Sequence, residues 1–122
     1  MLGQSDTWLL HICSEPYRSM FMGMQMDAPA ISAVIPCRNE YAHIEACVRS
    51  VLGQRAVAGD LLEVIVADGM SEDGTREILT RLAGEDRRLR VIDNPARITA
   101  RGMNLGIQLA RGEFIAIMGA HN

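Results

Sequence analysis

The chain has 122 residues, 48% of them apolar and 4% aromatic, with a formal net charge of −3. That length suits one domain with its own core, and the negative balance argues against a nucleic-acid backbone as partner. Few aromatics beside many Val, Ile, Leu, Ala and Gly residues favour a helix-covered parallel sheet over an all-β sandwich. Cys13, Cys37 and Cys47 lack metal-type spacing and read as reduced thiols of a cytosolic protein. No apolar run approaches the roughly 18 residues of a membrane span. Trp8–Cys13 is too short for a signal peptide and has no basic segment before it.

Residues 1–29 show no sustained period, and Met20, Met22, Met24 and Met26 crowd the start of the first apolar run. Two readings stand: translation begins at one of these methionines, or the segment is a disordered or loosely packed arm. From Ile31 the pattern becomes regular. Ile31–Pro36 is a continuous apolar strand that Pro36 ends. A helix from about Tyr41 to Leu52 turns Ile44, Cys47, Val48 and Val51 to one face, with Gly53 as its stop.

Leu61–Ala67 is the second strand. Ser71 is placed to cap a second helix, with Glu72 and Asp73 in its first turn, Ile78, Leu79 and Leu82 inward, and Gly84 ending it. Leu89–Ile92 is a short third strand closed by Asp93-Asn94-Pro95. A third helix over Thr99–Ala110 turns Met103, Ile107 and Ala110 inward and stops at Gly112, and Glu113–Met118 is the fourth strand. This β-α-β-α-β-α-β alternation with right-handed crossovers gives a parallel α/β sheet.

Two loops carry the most information: Pro36-Cys-Arg-Asn-Glu40 after the first strand, and Asp68-Gly-Met-Ser-Glu-Asp-Gly-Thr75 after the second. Strand, polar loop and helix in succession is how an open α/β sheet builds a pocket at the carboxyl ends of its strands. Arg101-Gly-Met-Asn-Leu-Gly-Ile107 and Ala110-Arg-Gly-Glu-Phe-Ile115 follow. Together, from about Ala30 onward, these motifs resemble the N-terminal half of an inverting family 2 glycosyltransferase with the GT-A fold.

The resemblance implies a Rossmann-like sheet of order 3-2-1-4 with helices on both faces, and a crevice between strands one and four. It implies transfer of a sugar from a nucleotide diphosphate donor, usually UDP-linked, to a saccharide or lipid-linked acceptor hydroxyl. Such enzymes serve polysaccharide and cell-envelope assembly, commonly at the cytoplasmic face of the membrane, with membrane attachment encoded outside this region. The nucleotide-binding residues it implies are Pro36, Arg38, Glu40, Asp68, Gly69, Arg101 and Asn104. Pro36 offers a flat apolar edge, Arg38 a plane that stacks or pairs with phosphate, and Glu40 an acceptor for ribose hydroxyls. Asp68 accepts from a base imide or ribose, and Gly69 lets the backbone approach. Arg101 faces the diphosphate from the start of its helix.

Where the family carries an acid for a divalent cation (Mn²⁺ or Mg²⁺), this chain has Gly119-Ala-His121, which leaves His121 as the candidate ligand. The catalytic base is expected beyond Asn122, so the chain reads as the donor-binding half of a domain. The alternative is an inactive fragment or a nucleotide-binding module without transferase activity. A dinucleotide-dependent oxidoreductase is disfavoured because the first βα turn lacks Gly-x-Gly-x-x-Gly, and a flavodoxin-like signalling domain because the first strand brings no acidic cluster. Cys37, beside Arg38 and ahead of a helix, is a candidate for a lowered thiol pKa, although a small packing residue is the plainer reading.

Overall fold

The computed structural model describes residues 29–54 and 62–120. In chain order the elements are β1 (Ile31–Cys37), α1 (Ile44–Leu52), β2 (Leu62–Asp68), α2 (Thr75–Glu85), β3 (Leu89–Asp93), α3 (Thr99–Leu109) and β4 (Phe114–Ile117). The four strands are parallel in the order β3-β2-β1-β4, as expected. The expectations about residues 1–28, Leu61 and His121 fall outside the described residues.

Every residue of β1 and β2 is buried, because helices cover both faces and leave no solvent side for an alternating pattern. Ile31, Ala33, Ile35 and Cys37 point to one face and pack with Ile44, Val48 and Val51 of α1 and Leu79 and Leu82 of α2. The path from β3 to β4 reverses direction across the sheet, so a right-handed crossover carries α3 to the opposite face. There it lies on β1 and β2.

The inward face of α3 differs from the expected one. Gly102 and Gly106 are its buried residues, while Met103 is half-buried and Ile107 is 39% exposed. A Cβ at Gly106 would stand 2.4 Å from Val34 Cγ1, and one at Gly102 would stand 3.3 Å from Pro36 Cβ. Glycine therefore sets the seat, and hydrophobic periodicity misses it because glycine has no side chain to count. Gly112, expected as a helix stop, serves a similar approach: its Cβ would lie 2.6 Å from the Ser32 backbone nitrogen.

Smaller corrections concern the ends of elements. Pro36 lies inside β1, which continues to Cys37, and α1 begins at Ile44 rather than Tyr41. Gly84 falls within α2, which runs on to Glu85. Ser71 does not cap α2; Gly74 at φ 100° precedes the helix, and the Asp73 carboxylate accepts from the Thr75 amide at 3.0 Å.

At the amino-terminal edge of the sheet, Glu63 is a charged residue followed by the apolar run Val64–Ala67 of β2. Its side chain is 3% exposed and accepts from Ser32 Oγ at 2.6 Å, the Arg111 amide at 2.7 Å and Arg111 Nε at 3.3 Å. Burial alone would push its carboxyl upward. The Arg111 amide, the Ser32 hydroxyl and the Arg111 guanidinium outweigh that and hold it below the ordinary value. Ser32 Oγ in turn accepts from the Gly112 amide at 2.8 Å, which fixes the turn that feeds β4 beside β1.

Candidate functional site

The carboxyl ends of the strands meet in one row, with Cys37 opposite Asp68 and Asp68 opposite Asp93. The loops after β1 and β2 are tied together above it. Arg38 Nη1 donates to the carbonyls of Gly69 and Met70. The Asn39 amide donates to Ser71 Oγ at 2.9 Å, and the Glu72 amide donates to Asn39 Oδ1 at 2.8 Å. The Glu40 amide donates to Thr75 Oγ1 at 3.0 Å and the Tyr41 amide to Asp73 Oδ2 at 3.2 Å. Serine, threonine, asparagine and aspartate suit this task because their short polar side chains substitute for backbone partners in turns.

The backbone is strained at the same place. Asn39 (φ 53°), Met70 (φ 60°) and Arg97 (φ 65°) adopt the left-handed conformation, one in each loop that follows β1, β2 and β3. Asparagine tolerates it; methionine and arginine adopt it less readily. Such outliers concentrate where a surrounding structure over-determines the backbone, as binding loops do. Gly69 lies where the loops converge, and a Cβ there would meet Arg38 Cβ at 3.2 Å, the Cys37 carbonyl at 3.3 Å and Arg97 Cα at 3.4 Å.

Asp68 is the centre of the site. Its side chain is 1% exposed. Oδ1 accepts from Ser71 Oγ at 2.5 Å, whereas Oδ2 has longer contacts, 3.4 Å each, from the Ser71 amide and Arg76 Nη1. Arg76 also pairs with Asp93 Oδ1. The Cys37 thiol lies against Asp68 Oδ1 at 3.8 Å. Burial first, and then the Asp68 charge, push that thiol up to about 12. The candidate lowering of its pKa is therefore overturned and the plainer reading of Cys37 as a packing residue stands; burial likewise raises Cys47 to about 11.

The structure gathers part of the predicted set. Arg38, Asp68 and Gly69 converge, with half-buried Glu40 joined to them through Thr75. Pro36 is buried beneath Gly102 of α3. Arg38 is a clamp on the second loop, its guanidinium engaged by carbonyls. Arg101 and Asn104 stand apart, on a flank of α3 that lines a cavity of about 400 Å³ with Asn94, Pro95, Ala96, Leu105 and Gln108.

Sequence reasoning missed Arg76, Asp93 and Asn94. The Asn94 amide donates to the Asp68 carbonyl, and its side chain donates to the Ile98 carbonyl at 2.9 Å, which sets the start of α3. A signal for Arg76 was present: a cation in the first turn of a helix opposes the helix dipole and calls for an acidic partner. No group of three or more His, Cys, Asp or Glu side chains among the described residues is placed to hold a metal, and Gly119 brings no ligand side chain to the end of β4. The described residues do not fit a metal cradle.

The family described as Glycosyl transferase family 2 matches residues 32–122. The chain belongs to this family. Relatives of this glycosyltransferase region include the succinoglycan biosynthesis protein ExoA of Rhizobium meliloti, 41% identical over 90 residues, covering 72% of this chain and 27% of that one. The putative glycosyltransferase EpsH of Bacillus subtilis is 32% identical over 93 residues, covering 76% and 26% respectively. The chain thus spans about a quarter of the length of these relatives. A solved mannosyltransferase of Pyrobaculum calidifontis, in complex with GDP-Man and Mn²⁺, superposes with a TM-score of 0.69 at 22% identity, covering 98% of this chain and 36% of that one. That likeness establishes the fold, a Rossmann-like parallel sheet of the GT-A kind.

Proposed function

We propose that residues 30–122 are the donor-binding region of an inverting glycosyltransferase that takes a UDP-linked sugar and passes it to a saccharide or lipid-linked acceptor hydroxyl. The observation that carries this reading is Asp68 Oδ2. It belongs to a buried carboxylate at the carboxyl end of β2, one strand from the β1–β4 crevice where strand order reverses, and its present contacts are both 3.4 Å. Contacts that long leave acceptor capacity for the N–H of a base. In this reading the tied loops hold the pocket wall rigid, Gly69 admits the ligand to the backbone, and Glu40 accepts from ribose. Pro36 shapes the floor from beneath. Arg101 and Asn104 serve the phosphate end from the flank of α3.

Any divalent cation would be held by His121, which lies outside the described residues, with groups from the remaining length of the relatives, and would supply positive charge beside the diphosphate. The catalytic base is proposed to lie in the remaining length of the relatives. Work at the cytoplasmic face of a membrane is part of the same proposal; no helix among the described residues is long and apolar enough to cross one. Gly119, in place of an acid at the end of β4, favours a second reading, a donor-binding module without transfer activity.

Thermal-shift titration of the full chain with UDP and with GDP tests the proposal, each with and without Mn²⁺ and beside Asp68→Ala. At about 100 times Kd, UDP adds about 2.7 kcal/mol of stability, and Asp68→Ala loses that gain. A folded protein that GDP alone stabilises contradicts the choice of base. One that neither nucleotide stabilises contradicts donor binding by this region.

A further inference from the structure

We propose that Arg76 is a positioning residue for the donor base, acting through Asp68; the inference rests on the reading of Asp68 as the base acceptor. Arg76 occupies the first turn of α2, which starts at Thr75, where the positive end of the helix dipole disfavours a cation. Two carboxylates hold it there: Nη1 donates to Asp93 Oδ1 and stands 3.4 Å from Asp68 Oδ2.

Asp68 and Asp93 are register partners on adjacent strands, about 4.8 Å apart in the direction across the sheet. Their like charges repel unless a cation lies between them. Water screens Asp93, whose side chain is 56% exposed, but not Asp68, at 1%. Arg76 therefore matters most to Asp68. From the other side Ser71 Oγ holds Oδ1 at 2.5 Å. Separate holds on the two oxygens fix the plane of the carboxylate and leave Oδ2 the more loosely held of the two. Arg38, a second guanidinium at these loops, does not serve this purpose because it donates to the Gly69 and Met70 carbonyls.

The test compares UDP with its N3-methylated analogue, which lacks the imide hydrogen. Both are titrated into the full chain as wild type, Asp68→Ala, Arg76→Met and Arg76→Lys, and the melting temperature of each unliganded protein is recorded. The wild type prefers UDP by about tenfold, the worth of one hydrogen bond to a charged group. In Arg76→Met the preference collapses towards one, and Arg76→Lys regains most of it. Should Arg76→Met fail to fold, Arg76→Gln carries the same comparison.

A merely structural Arg76 weakens both ligands alike and leaves the ratio unchanged, and that result overturns the proposal. A wild type without preference, or a preference that survives Asp68→Ala, overturns the reading of Asp68 and the role of Arg76 with it.

Discussion

Gly106→Ala tests how α3 is seated. The added methyl would lie 2.4 Å from Val34 Cγ1 and 3.3 Å from Cγ2, well inside the 3.4–4 Å of ordinary contact. Val34 is fully buried in β1, between β2 and β4, and a β-branched side chain has little χ1 freedom with which to yield. Overpacking of this kind costs about 2–3 kcal/mol, and the gain in helix propensity from glycine to alanine offsets about 1 kcal/mol. The net loss is about 1–2 kcal/mol, a fall in melting temperature of about 4–16 °C for a domain of this size.

Gly84→Ala is the control, because nothing lies within 4 Å of its Cβ position; it gains about 0.5 kcal/mol from propensity alone. Val34→Ala in the Gly106→Ala background should recover part of the loss, a coupling that a double-mutant cycle isolates. Differential scanning fluorimetry and urea unfolding read wild type, Gly84→Ala, Gly106→Ala, Val34→Ala and the double variant. If Gly106→Ala stabilises as Gly84→Ala does, α3 does not press on β1 through this residue.

Glu63→Gln removes the charge that anchors the Arg111 turn. Since its guanidinium partners, Arg111 at 3.3 Å and Arg90 at 3.5 Å, both reach solvent, the loss is about 1–2 kcal/mol near neutral pH. The folded carboxyl is held below its ordinary 4.5, so its contribution is present above that value and is lost as pH falls through the lower folded one. The gap in urea midpoint between wild type and Glu63→Gln should therefore close as pH falls below 4.5, and a gap independent of pH contradicts the assignment. Cys37 and Cys47, both buried and with raised thiol pKa values, should resist iodoacetamide at neutral pH until denaturant is added. Rapid labelling of either in the native protein, read by peptide mass spectrometry, refutes their packing.

The sheet was legible because strands covered on both faces become continuous apolar runs, and β1 and β2 end at Cys37 and Asp68, where polar loop residues begin. The phase of α3 was not legible. Its contact is made by Gly102 and Gly106, so a pattern built on side chains turned Met103 and Ile107 inward instead. Arg101 and Asn104 lie on the flank of that helix towards Asn94–Ala96. The importance of Asp68 was readable from its position at a strand end. Arg76 left a hint as a cation in the first turn of a helix, but its partner Asp93 did not, since its place beside Asp68 depends on strand register that no local pattern encodes. The bonds from Asn39, Ser71 and Thr75 across the two loops are non-local for the same reason, and sequence alone assigned Ser71 to a helix cap.

Backbone amide shift mapping of the full chain during a UDP titration tests the central claim most directly. The account predicts saturable shifts at Arg38–Glu40 and Gly69–Ser71, with Asp68→Ala abolishing them. Shifts confined to Glu63, Arg90 and Arg111 at the opposite edge, or to the cavity beside Asn104 and Gln108, would contradict it.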